Sequence, residues 1–68
     1  MFILLTTIMG NTLLLDVERI VAVFEEDHMT KVEYAQPKGE GAELVTWWVK
    51  ESPEEIAEKI EEKRGAEL

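Results

Sequence analysis

His28 is the only histidine of this chain, and it stands beside Glu26 and Asp27. A metal or general-base role can be drawn from such a trio, because imidazole titrates near neutrality and binds metals readily. One imidazole with carboxylates adjacent in sequence lacks the spacing of a recognisable ligand set, however. A solvated turn residue is the expected reading, and no metal site is expected. Carboxylates are plentiful, fifteen in 68 residues. Paired-acid catalysis needs two of them held in one pocket with different environments. Most fall instead in loops or on a C-terminal helix, where Glu55 and Lys59 (i, i+4) and Glu61 and Arg64 (i, i+3) suit an exposed, salt-bridged face. Thr6, Thr7, Thr12 and Thr46 have no His or Lys base at a telling spacing, so nucleophilic catalysis has no foothold. Lys38-Gly39-Glu40-Gly41 lacks the Gly-Lys-Ser/Thr ending of a phosphate loop and carries an acid that would repel phosphate. No catalytic residue and no cofactor emerge, and an enzyme is not expected.

Binding chemistry is better represented. Trp47-Trp48 could stack a ligand or fill a partner's pocket. Neighbours on a strand point to opposite faces, so the two indoles cannot form one platform. One is expected in the core and the other at an interface or site. Tyr34, Arg19 and Lys31 are the other candidates, supplying stacking and positive charge should a small ligand bind.

The totals narrow the classes further. A chain of 68 residues makes a single domain near the lower limit for a self-sufficient core. It has no cysteine, which excludes disulfides and thiolate-held zinc as staples. Small apolar-rich chains without staples commonly gain burial by oligomerising. A net charge of −8 repels phosphate backbones and anionic membranes, so nucleic acid is a disfavoured partner. The apolar start Met1-Phe2-Ile3-Leu4-Leu5 has no basic n-region and turns polar at Thr6, unlike a secretory signal. No apolar run approaches a membrane span. A soluble, cytoplasmic protein is the expectation.

The elements that must position these residues read as five strands and a helix. Phe2 to Ile8 and Thr12 to Leu15 form a hairpin around Met9-Gly10-Asn11. Asp16 caps a short turn before a third strand, Ile20 to Glu25. Glu26 to Met29 connects to a fourth strand, Thr30 to Ala35, in which Val32 and Tyr34 alternate with Lys31 and Glu33. Gln36 to Glu43, with Pro37, Gly39 and Gly41, reads as a long, mobile hairpin loop. Leu44 to Val49 is the fifth strand. Ser52-Pro53-Glu54-Glu55 then spells a capping box with proline at the first helical position. The helix is expected over 53–64, ending at Gly65. The fold class is therefore α+β, mostly β: five antiparallel strands in 2–49, then one C-terminal helix.

Strands one, three and five carry apolar residues on both faces, which a lone sheet with one wet face would not. The helix offers only a thin apolar stripe of Ile56, Ala57 and Ile60. A second copy is the natural other cover, so a homodimer or larger oligomer is expected.

The order of these elements, with Leu14 to Val23 and Val49 to Ile60 as its sharpest pieces, resembles the FlbD family of small bacterial flagellar and swarming-motility proteins. The Lys38 to Glu43 segment is longer and more acidic than that family's usual tight hairpin. The resemblance implies a small regulatory protein with no catalytic residues to carry over. Met1-Phe2-Ile3-Leu4, Gly10-Asn11-Thr12-Leu13 and the final Glu-Glu-Ile helix also look like the carbon storage regulator family, an interlocked dimer that binds RNA through arginines. Here Thr6 and Thr7 stand at the first of those arginine positions, and only Lys50 precedes the helix, so the fold analogy survives without the RNA-binding chemistry. Two functions follow. The first is a non-enzymatic interaction or regulatory module that binds a protein partner as a homo-oligomer. The alternative is a ligand- or nucleotide-sequestering oligomer, of the kind a phage encodes, using Trp47 or Trp48, Tyr34, Arg19 and Lys31. Convergence of Arg19 and Lys31 beside an aromatic would favour the ligand; a flat apolar surface would favour the protein partner.

Overall fold

Gly10 takes a φ of +91°, a backbone state open to glycine at no steric cost. It lets the chain reverse between β1 (Phe2–Thr6) and β2 (Thr12–Asp16), which pair antiparallel from Phe2 opposite Asp16 to Thr6 opposite Thr12. The computed structural model describes residues 1–67. Inside the turn the Thr7 N–H donates to the Asn11 carbonyl at 2.8 Å, and the Asn11 N–H to Thr7 Oγ1 at 3.1 Å. Strand one thus ends at Thr6 rather than Ile8, because Thr7 spends its hydrogen bonds on the turn.

Asp16 caps the 3-10 turn Val17–Arg19, its Oδ1 accepting from the Glu18 N–H at 3.1 Å, as its position predicted. Three strands follow as one antiparallel sheet in the order β3 (Ile20–Glu26), β4 (Met29–Lys38), β5 (Gly41–Val49). The β3–β4 connection is only Asp27-His28, with φ of +51° and +65°. Both residues on the left-handed side is the signature of a two-residue turn whose twist matches that of the strands. A bulge at Val21 shifts the β3 register between Ile20 and Ala22.

The largest departure from the sequence reading lies at 36–43. The long loop is absent: β4 and β5 run on as a two-stranded ribbon, with Gln36 opposite Glu43, Pro37 opposite Ala42 and Lys38 opposite Gly41. Gly39, at φ +60°, makes the reversal. Pro37 is tolerated because β3 pairing stops at Tyr34, so that side of β4 is an edge where a missing N–H breaks no ladder.

The helix α1 (Pro53–Glu67) opens on the expected capping box. The Glu55 N–H donates to Ser52 Oγ at 3.1 Å, and the Ser52 N–H to Glu55 Oε1 at 3.4 Å. It does not stop at Gly65. That glycine lacks the left-handed φ of a C-cap, so helix geometry continues through it to Glu67. The apolar stripe is narrower than expected, since Ala57 faces solvent while Ile56 is buried and Ile60 half-buried.

The core lies between the inner faces of hairpin, sheet and helix: Ile3, Leu5, Leu15, Val32, Tyr34, Val49 and Ile56. Two backbone bonds stitch hairpin to sheet, Lys50 N–H to the Thr6 carbonyl at 2.8 Å and Ile8 N–H to the Trp48 carbonyl at 3.1 Å. Glu51 Oε1 accepts from the Thr6 N–H at 2.8 Å beside them. The segment leading into the helix is thereby tied to the end of β1.

Candidate functional site

Alternation along β5 puts Trp47 and Trp48 on opposite faces, as expected of adjacent strand residues. Trp47 pairs with Val32 and packs against the core; its indole N–H is buried with no hydrogen-bond partner. Trp48 pairs with Lys31 on the outer face of the sheet and is half-buried. Tyr34 belongs to the inner face. It is only 8% exposed, and its hydroxyl oxygen accepts from the Asp16 N–H at 3.0 Å, joining β4 to the end of β2. His28 is exposed at the tip of its turn.

The two cations proposed for a ligand do not meet. Arg19 precedes β3, with Nε 3.9 Å from Asp16 Oδ2. Lys31 lies opposite Phe24 near the other end of that strand, roughly 15 Å away at the usual rise per residue. On the outer face the fold brings Lys31 to Trp48, whereas Trp47 and Tyr34 share the inner face with the core and Tyr34 and Arg19 both reach Asp16. Among the described residues, no three His, Cys, Asp or Glu side chains gather as metal ligands would.

What surrounds Lys31 is an ordered row across the sheet. Its Nζ stands 5.3 Å from the Phe24 ring centroid and 5.7 Å from that of Trp48, with Glu26 Oε2 at 3.8 Å. Both aromatic distances fall within cation–π range. The next row holds Ala22, Glu33 and Thr46; beyond it come Ala35 and Leu44. The bulky Phe24-Lys31-Trp48 row therefore lies beside one that carries small residues, Ala22 and Thr46, on both flanking strands. Phe24 and Ala22 were missed in the sequence because their opposition to Lys31 and Glu33 is set by the register between β3 and β4, which residue types by themselves do not state. The signal available was Asp-His at the tip, since Asp and His are among the non-glycine residues that accept left-handed backbone.

A second surface lies on the hairpin. Phe2, Leu4 and Leu14 project from its outer face and are 53%, 56% and 60% exposed. With Lys59, Glu62 and Lys63 of α1 they line an open groove of about 510 Å3. Lys59 is half-buried, which fits an aliphatic stem lying over apolar neighbours while the ammonium stays wet. The strand parity of Phe2 and Leu4 was legible in the sequence; the arrival of helix lysines beside them was not.

No helix among the described residues is long and apolar enough to cross a membrane. No protein-family model, curated protein or solved structure matches this chain.

Proposed function

We propose that this chain is a small non-enzymatic interaction module that acts as a homo-oligomer and binds a protein partner. The observation that carries the reading is the gathering of exposed apolar side chains into faces. Phe2, Leu4 and Leu14 form one beside the helix, and Phe24 and Leu44, with the half-buried Trp48, another on the sheet. Contiguous apolar patches of this kind mark association surfaces. Arg19 and Lys31 support the same choice, since each sits beside an acid and they stand at opposite ends of β3, where no single anion could engage both. The excess of acids weighs against nucleic acid as the partner. A regulatory role of the FlbD kind agrees with this reading, and the hairpin groove is the surface we assign to the protein partner.

Native mass spectrometry of the gently purified protein tests the proposal. An oligomer without adduct is expected. A nucleotide-sized mass on each subunit would overturn it in favour of ligand sequestration, and a monomer at every concentration would overturn the assembly. Leu4→Glu, at an exposed position, should leave folding intact and abolish capture of a partner that the native chain retains.

A further inference from the structure

We infer that the outer face of the β3–β4–β5 sheet is the homotypic interface, packed on the same face of a second copy about a two-fold axis crossing β4 at Val32. This rests on the oligomeric reading above and adds which face assembles, and how.

This face is self-complementary. In a two-fold interface one patch meets itself, so each residue must suit the residue that symmetry sets opposite. Lys31 and Glu33 are adjacent outward residues of the central strand, about 7 Å apart at the usual rise. With the axis lying in the interface plane and perpendicular to β4 at Val32, Lys31 of each copy faces Glu33 of the other. The flanking strands follow the same operation. Phe24, beside Lys31, comes over Ala22, beside Glu33; Trp48 comes over Thr46; Met29 comes over Ala35. Phe24, Trp48 and Met29 thus each meet a smaller residue, which is how facing sheets interdigitate at about 10 Å separation.

Charge points to the same occupant. The chain carries −8 overall, so two copies repel unless the meeting surface is locally balanced. In the rows from Met29 to Ala35 the charged residues of this face are Glu26, Lys31 and Glu33, whereas acids crowd the helix and the ribbon tip. An axis running along β4 instead would set Lys31 on Lys31 and Glu33 on Glu33, so the charge pattern selects one of the two simple alignments. Three strands about 4.8 Å apart over some seven residues offer roughly 330 Å2 per copy. The two copies together then bury roughly 660 Å2, less than a standard specific interface, so assembly through this face should be weak and concentration dependent.

Charge exchange tests the proposal, with assembly read by sedimentation and native mass spectrometry across the micromolar range and folding by circular dichroism. K31E gives both central positions the same negative sign, and E33K the same positive sign. Each alone should weaken association at least ~10-fold, because two like-charge pairs form per dimer. The two variants mixed should assemble one to one, and the double variant K31E/E33K should regain native association. Thr46→Trp is an independent steric variant: the position is exposed in one copy, yet the larger ring would collide with Trp48 of the other and should also block assembly. Native association unchanged by the single exchanges and by Thr46→Trp would overturn this interface while leaving the oligomeric reading standing. Loss in each single variant without recovery on mixing would overturn the pairing. A native chain that stays monomeric would overturn both.

Discussion

Ile56→Ala is the most informative single change to the fold, because among the described side chains α1 sends one, fully buried, into the core. Ile56 is 1% exposed and Ile60 half-buried; the remaining helix positions are charged, small or solvent-facing. Ile→Ala removes three carbon atoms, worth about 2.4 kcal/mol at about 0.8 kcal/mol each. The cavity left behind raises the expected cost to about 3 to 4 kcal/mol. A domain of this length holds roughly 3 to 10 kcal/mol in all, so the change removes a third or more of the total. Most of that loss should appear as undocking of α1. A 15-residue helix with an interior glycine is marginal in water by itself, so the undocked segment should also unwind. The assay is urea unfolding followed by far-UV circular dichroism at fixed protein concentration, since assembly would otherwise shift the apparent stability. Amide exchange across Ile56–Arg64 reports the helix directly. A cost below about 1 kcal/mol, with helix amides as protected as in the native chain, would refute the view that one isoleucine anchors this element. The groove beside Phe2, Leu4 and Leu14 should disappear with the helix, and partner binding with it.

Ser52→Ala removes the acceptor for the Glu55 N–H and should cost about 1 kcal/mol in thermal or urea unfolding. Glu51→Ala should cost about 1.5 kcal/mol, since it leaves the part-buried Thr6 N–H without its carboxylate at the seam between hairpin and sheet; exchange of the Thr6 amide should rise in step. Gly65→Ala should raise helicity and stability by up to about 1 kcal/mol, because the glycine is helical and a methyl there meets nothing within 4 Å. No loss of folding is expected from that last change, which separates a helical glycine from a left-handed cap.

Local chemistry determined much of this protein in advance. Ser52, Pro53 and Glu55 specify a helix start through bonds that close within four residues, and Asp16 specifies its turn in the same way. Period-two alternation placed Val32 and Tyr34 on one side of β4 and Lys31 and Glu33 on the other, and it separated Trp47 from Trp48. Such signals are read from neighbours in the chain, so they survive without knowledge of the fold. Tertiary structure decided what depends on pairing between distant residues. Pro37, Gly39 and Gly41 carry loop chemistry, yet the ladder between β4 and β5 extends through them because each new pair adds to a register already established by the core. The antiparallel register centred on Asp27-His28 set Phe24 opposite Lys31, and a shift of that register by one residue would have set another partner there. Tyr34 looked like a binding residue until packing turned it into a bond between β4 and the end of β2. Arg19 and Lys31 could have met or not; the length of β3 between them decided that they do not. Residue types state which contacts a side chain can make, whereas register and packing state which side chains come within reach.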